Sequence, residues 1–309
     1  MTATVPTIVT PANVYRGTSN IALPADVSQE IWAAVAEESA FMKLARQITL
    51  PGTGTTIQTI TGEPAADWVA ETGAKPVSVH TFGKKAITPY KLAVIEPFSM
   101  EFVRDKQALY DECIRRLPAA IAAKFDSTII GTSAPGTGFD VLGSATAVSL
   151  IPGSGDTVYD QLVTVAGNIA ENGGVMNGII LAPQGQSKLL AAKDGDGRPL
   201  FTMGVETAAL NPVLGAQIAI SKHVYKAGTA GSPGTPAIVG IAGDFSDAVY
   251  GIVEGINVAV STDATLVTSD GVISLFQQNM VAVRVEAEVS FAVKAAGEFN
   301  LLTGDTPSA

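Results

Sequence analysis

Polar and apolar residues alternate along MVAVRVEAEVSFAVK. Val281, Val283, Val285, Ala287, Val289, Phe291 and Val293 fall on one side, with Arg284, Glu286, Glu288, Ser290 and Lys294 between them. A period of two over that length predicts a long half-buried strand with one wet face. A period near 3.6 governs three other stretches. Asp26, with Gln29 three residues on, opens an N-terminal helix that carries Val27, Ile31, Val35, Met42 and Ala45 and ends before LPGTGTT. Ser99 stands where it can cap a helix running to about Gly131, with Tyr110, Ile114, Leu117, Ile121, Phe125 and Thr128 on one face. At 1.5 Å per residue that helix would be about 48 Å long, and Pro118 within it predicts a kink or a division. Its opposite face holds Arg104, Asp105, Asp111, Glu112, Arg115 and Arg116, both signs interleaved as on a solvated or partner-facing surface. The third helix, in DTVYDQLVTVAGNIAENGG, buries Tyr159, Leu162, Val165 and Ile169 and stops at Gly173.

Between these lie β-prone and turn-forming segments. Ile57 to Ile95 reads as strand, polar middle, strand, with Glu63, Asp67, Glu71 and Lys75 in the middle. That length is too great for a tight hairpin and predicts a polar-tipped β-arm projecting from the body. GTSAPGTG (131–138) is a junction, GIILAP a short buried strand, QGQSKLLAAK a short helix and AGTAGSPGTP (227–236) a surface loop. Residues 1–24 are Thr/Pro-rich and aperiodic. GDFSDAVYGIVEGINVAVST (243–262) places Asp244 and Asp247 around Phe245 ahead of two β-prone runs.

Composition narrows the function classes. The 309 residues are 47% hydrophobic and mean hydropathy is positive, so a large core is available. Yet the longest charge-free run, Ala227 to Gly243, holds Pro233 and Pro236 and reads as loop plus strand, not as a membrane span. The N-terminus lacks the basic start and apolar centre of an export signal. A single cysteine, Cys113, rules out an internal disulfide and fits a small apolar helix position. Net charge is −10, nearly all of it in residues 132–309, which hold 7 Lys and Arg against 16 Asp and Glu. There is no basic stripe to grip phosphates.

Candidate chemistry is sparse. No Lys-Ser or Lys-Thr follows GTSAPGTG, as a phosphate loop requires. DGDGRP (194–199) lacks the twelfth-position Glu of a calcium loop, where Val205 stands. His80 and His223 have no ligand cluster near them in sequence. Asp244 and Asp247 could form an acid pair for a hydrolase, but as turn and cap residues they need nothing more. No cofactor or metal is expected.

The order of parts resembles the major capsid proteins of tailed bacteriophages, the Hong Kong 97-like fold. WVAETGAKP, with Trp68, Val69 and Glu71, resembles that family's extended-loop segment. AAIAAKFDSTIIGTSAPGTG resembles the end of its spine helix and the exit from it. KDGDGRPLF followed by NPVLGAQIAIS, GDFSDAVYGIVEGINVAVST, and FQQNMVAVRVEAEVSFAVKAAGEF resemble later parts in the same order. The resemblance implies an α+β subunit: an N-terminal arm (1–25), an N-terminal helix (26–49) and an extended β-hairpin loop (50–96). A peripheral domain with a long spine helix (97–131 and 276–303), an α/β axial domain (132–275) and a C-terminal tail (304–309) complete it.

What the resemblance implies of function is structural, not enzymatic. Hexamers and pentamers of the chain would close into an icosahedral head around double-stranded DNA, held without sequence-specific binding. A separate scaffolding protein, a portal and a decoration protein are the implied partners, with no membrane. Assembly would take place in the host bacterial cytoplasm and the product would be the virion. An encapsulin-type compartment shell and a hydrolase using Asp244 and Asp247 are the alternatives. Trp68, Glu63, Asp67 and Glu71 of the loop and Arg104, Arg115 and Arg116 of the helix are the expected intersubunit contacts. Some members join subunits by a Lys–Asn bond with a Glu as base. Here Lys75, Lys84 and Lys85, Asn279 and Asn300, and Glu286, Glu288 and Glu298 are the available groups. Such a Lys must be neutral, hence desolvated beside its base; the polar surroundings of these residues predict no cross-link.

Overall fold

The computed structural model describes residues 39–306, apart from residues 63, 70–73, 76, 152–155, 195, 203–210, 232–233, 254–255 and 269–270. The expected arm (1–25), most of the expected helix 26–49, Glu63 and Glu71 lie outside the described residues.

The alternating stretch forms the longest described strand, β13 (Met280–Val293), and the first sheet is built on it. Strand β4 (Tyr90–Ser99) lies antiparallel along one edge of β13, in register from Met280↔Ser99 to Val289↔Tyr90. The other edge takes two shorter antiparallel strands end to end, β9 (Ala248–Ile252) and β10 (Asn257–Ser261). Val289 pairs with both Tyr90 and Ile252, which puts β9 opposite β4. The partner numbers on β13 shift by two between β9 and β10, so the pairing along this edge changes register between Ile252 and Asn257. Strand β1 (Arg46–Thr49) joins β9 in parallel. Residues 46–49, expected at the end of the N-terminal helix, are therefore strand. The short helix α1 (Ala40–Leu44) ends because Ala45 is extended, at φ −80° and ψ 155°, and the following backbone finds partners on β9.

The apolar side of β13 is buried as the alternation requires, and Arg284 is exposed. Ser290, expected on the wet face, is fully buried, because β9 and the 137–140 turn close over that end of the strand and Gly138 O accepts from its hydroxyl at 3.4 Å.

Ser99 caps as expected, its Oγ accepting from Glu101 N at 3.3 Å. The helix it starts is short, α2 (Met100–Asp105); after Lys106 (φ −146°, ψ 60°) the long α3 (Gln107–Ile130) begins. The expected division thus occurs at Lys106, and Pro118 sits inside a continuous helix. A straight helix would separate Phe102 and Tyr110 by about 12 Å along its axis. Both rings pack on Phe98, with centroids at 5.8 and 5.0 Å, and only a break lets them do so. Tyr110, Ile114, Leu117, Ile121 and Phe125 form the buried face of α3, continued by Ile129 and not by Thr128. The Thr128 hydroxyl instead donates back to Lys124 O at 2.7 Å.

The second sheet runs β5 (Thr146–Ser149), β14 (Phe299–Thr303), β8 (Ile238–Gly243), β6 (Gly178–Leu181) and β7 (Gln217–Ile220). Helix α4 (Val158–Glu171) covers it, opened by a reciprocal Thr157–Asp160 capping box and buried through Val158, Leu162, Val165 and Ile169. Tyr159, expected in that row, is exposed; the capping geometry turns its neighbour Val158 inward. Helix α5 (Pro183–Ala191) packs on β6 and β8.

Sheet membership crosses the expected 275/276 boundary. Phe299–Thr303 pairs within the second sheet and Ala248–Ser261 within the first. A cluster of phenylalanines joins the two layers: Phe291 meets Phe41 at 5.7 Å and Phe125 at 6.3 Å, and Phe245 meets Phe41 at 6.1 Å and Phe299 at 5.3 Å.

Candidate assembly surfaces

Strands β2 (Thr55–Gly62) and β3 (Thr81–Ile87) pair only with each other, as an antiparallel ribbon outside both large sheets. Two strands bury too little to stand alone, so the base of the ribbon is tied down. Leu50, Ile87, Val249 and Ala292 form a small core there. Gly54 (φ +78°) turns the chain under Ile87, whose carbonyl oxygen would lie 2.5 Å from any added Cβ. Lys85 Nζ donates to Val293 O and pairs with Asp140, both at 2.5 Å, and Thr88 N donates to Gly138 O at 3.1 Å.

Beyond the base the ribbon turns apolar side chains to solvent. Trp68 is fully exposed, and Val77, Val79 and Phe82 are 94%, 74% and 68% exposed. The tip was expected to be polar; Asp67 and Lys75 are indeed exposed, but so are Trp68, Val77, Val79 and Phe82. Large apolar side chains left this exposed mark surface that a partner covers.

The other expected contact residues are engaged on their own helix. Arg104 Nε bonds Asp105 at 3.0 Å. Arg115 and Arg116 both bond Glu112, Arg116 Nε at 2.9 Å, and the bonds from Arg116 and then Arg115 hold the Glu112 carboxyl below its ordinary range. These exposed pairs contribute little. Within one subunit the structure does not bring Arg104, Arg115 or Arg116 to the loop acid Asp67.

Asp244 and Asp247 do not form a reactive pair. Asp244 caps a 3₁₀ turn and accepts from Val175 N (2.9 Å), Asn177 Nδ2 (2.7 Å), Ser246 N (3.0 Å) and the Ser246 hydroxyl. Burial pushes its carboxyl up, but these bonds outweigh it and hold it below the ordinary range. Asp247 pairs with Lys294 at 2.8 Å. Of the groups weighed for a cross-link, Lys75 and Lys84 are exposed, Glu286 and Glu288 pair with Lys91 on the outer face of the sheet, and Glu298 and Asn300 are buried. Among the described residues no group of three or more His, Cys, Asp or Glu could hold a metal, and no helix is long and apolar enough to cross a membrane.

Sequence reasoning missed one buried carboxylate. Asp126, on α3, is fully buried and accepts from Ser39 Oγ (2.6 Å), Ala40 N (3.1 Å) and Ser221 Oγ (3.2 Å). Each serine hydroxyl is itself an N-cap, accepting from Met42 N (3.2 Å) and His223 N (3.3 Å) respectively. One carboxylate therefore anchors two helix starts, 87 and 95 residues away in sequence, to the spine helix. Burial pushes its pKa up, against these hydrogen bonds. No local pattern announces such a residue, because its donors are brought by tertiary structure.

Comparison with known proteins agrees with this architecture. Residues 20–304 match the Phage capsid family. The chain is 31% identical over 295 residues to the probable major capsid protein gp17 of Mycobacterium phage D29, covering 91% of this chain and 89% of that one. It is 32% identical over 299 residues to the probable major capsid protein gp17 of Mycobacterium phage L5, with the same coverage. Among solved structures, a chain of Microbacterium phage Oxtober96 superposes with a TM-score of 0.69 at 19% identity, covering 87% of this chain and 91% of that chain, which speaks to the fold alone.

Proposed function

Since the chain belongs to the phage capsid family, we propose that it works as the major capsid protein of a tailed phage, with the projecting ribbon as the clamp between neighbouring subunits. The observation that carries the clamp is the exposure of Trp68, Val77, Val79 and Phe82, apolar side chains that the subunit itself leaves uncovered. In this reading residues 50–96 reach across to a neighbour, the sheet around β13 with α3 forms the peripheral layer, and the second sheet with α4 and α5 forms the axial part.

Hexamers and pentamers of such subunits close into an icosahedral shell around double-stranded DNA. A net charge of −10 suits confinement of DNA without tight binding. A scaffolding protein, a portal and a decoration protein complete the proposed set of partners, and assembly in the host cytoplasm precedes incorporation into the virion. The role is architectural: Asp244 and Asp247 serve a turn and an ion pair, which removes the basis of the hydrolase reading. The likeness to phage capsid proteins favours a phage head over an enzyme-loaded compartment.

Electron microscopy of the expressed full chain tests this. Closed, uniform shells, formed alone or with a co-expressed scaffold, are expected. A monodisperse monomer at high concentration under both conditions would refute the reading.

A further inference from the structure

Where the ribbon meets the body there is a cleft of about 230 Å³. Its lining includes the apolar Ile57, Ile87 and Val249, three cations, Arg46, Lys85 and Lys294, and one carboxylate, Asp247. Two of the cations are already paired. Lys85 holds Asp140 at 2.5 Å, and Lys294 holds Asp247 at 2.8 Å and Glu298 at 3.8 Å. Arg46, exposed on β1, has no carboxylate partner among the described residues. The cleft therefore offers apolar lining and one unspent guanidinium, which suits a carboxylate standing next to a large apolar side chain.

The chain carries that combination on a free surface. Asp67, Trp68 and Val69 are consecutive and exposed near the tip of the ribbon. A subunit's own tip does not fill its own cleft: Asp67, Trp68 and Val69 are exposed and none of them lines it. A second copy can supply it.

We propose that the Asp67–Trp68–Val69 tip of one subunit seats in the cleft at the ribbon base of the next, Asp67 on Arg46 and Trp68 against Ile57, Ile87 and Val249. The contact joins two different surfaces, tip to base, so it repeats head to tail and closes a ring when the rotation between subunits permits. Placing an occupant in the angle between ribbon and body also fixes that angle, so each subunit sets the direction in which its neighbour reaches on. This pairing rests on the reading of the ribbon as an intersubunit clamp and names the site that the clamp grips.

A charge-reversal cycle on the full chain tests it. Arg46→Glu and Asp67→Arg should each raise the protein concentration needed for half-assembly by about tenfold, and the double variant should recover most of that loss. Far-ultraviolet circular dichroism checks that each variant is folded. Asp67 is exposed on the ribbon, so its substitution leaves the core intact even if Arg46→Glu proves insoluble. A second readout is the emission of Trp68 in a Trp32→Phe background, which should shift to shorter wavelength when shells form. Assembly of Asp67→Arg at the wild-type concentration, a double variant no better than the singles, or Trp68 emission that stays solvent-like in shells would each overturn the pairing. Deleting residues 62–76 separates the two ideas. If shells persist without the tip, the clamp itself falls; if they vanish while the charge reversals have no effect, only this pairing falls.

Discussion

Replacing Asp126 by alanine removes one acceptor and strands three donors in a site closed to water: Ser39 Oγ, Ala40 N and Ser221 Oγ. A buried donor left without a partner costs about 1–3 kcal/mol. The two hydroxyls can rotate toward other acceptors and the Ala40 amide cannot, so the total expected is about 3–5 kcal/mol. For a chain of this size each kcal/mol lowers the melting temperature by about 2–4 °C, which gives a fall of roughly 10 °C. Asp126→Asn is the informative partner. Its carbonyl oxygen still accepts from Ala40 N, and its amide can donate to a serine oxygen, so a cost below about 1.5 kcal/mol is expected. The charge adds a pH dependence of definite sign. Burial raises the folded-state pKa of Asp126 above its unfolded value, so its favourable contribution is fully present below the unfolded value, about 3.9, and is lost as pH rises through the folded one. Wild type should thus gain on Asp126→Asn as pH falls through the weakly acidic range. Scanning calorimetry at a fixed rate, on wild type and both variants from pH 4 to 8, measures all of this. Alanine within about 0.5 kcal/mol of wild type, or asparagine as damaging as alanine, would refute the view of Asp126 as the shared acceptor of two caps.

Phe291→Ala opens the junction between Phe41 and Phe125 where the two layers meet and should cost about 3–5 kcal/mol, read as lost soluble yield and a lower melting temperature. Removing residues 62–76 should leave the melting temperature of the body nearly unchanged, because the described residues of that segment pair with neither large sheet; a fall as large as that of Phe291→Ala would contradict the division. Particles boiled in detergent should run as a single band near 31.7 kDa on a denaturing gel, and a ladder of multimers would show a covalent bond where Lys85 is ion-paired to Asp140 and Glu286 and Glu288 to Lys91.

Elements that close their own hydrogen bonds or show their own period were legible in the sequence. The alternation over Val281–Val293 gave β13 within a residue of its start, the Ser99 cap gave the start of α2, and the Tyr110–Phe125 face gave the spine helix α3. What failed was set from a distance. Lys106 breaks the helix to seat two rings on Phe98, with no glycine or proline to mark it, while Pro118, the only local breaker, is overruled by the buried Leu117 and Ile121 on either side. Arg46–Thr49 became strand because β9 offered an edge. Of the proposed assembly surface, Trp68 and Asp67 were singled out from the sequence. Arg46 and Lys85 were not linked to them, since only folding brings β1, β3 and β13 to one cleft.

The ten-residue ladder between β4 and β13 has a mechanical consequence. The ribbon runs into β4 through Thr88 and Pro89, so in the proposed clamp a neighbour that tugs on the tip would pass part of the tension into β4 at Tyr90. Antiparallel hydrogen bonds stand perpendicular to their strands, and a pull directed along β4 therefore loads them side by side, not one after another. The load is shared from Tyr90↔Val289 to Ser99↔Met280, and β13 passes it on to the spine helix packed behind. In a shell held by the proposed clamp, such a pull would be resisted by shear along this ladder instead of by peeling one pair at a time.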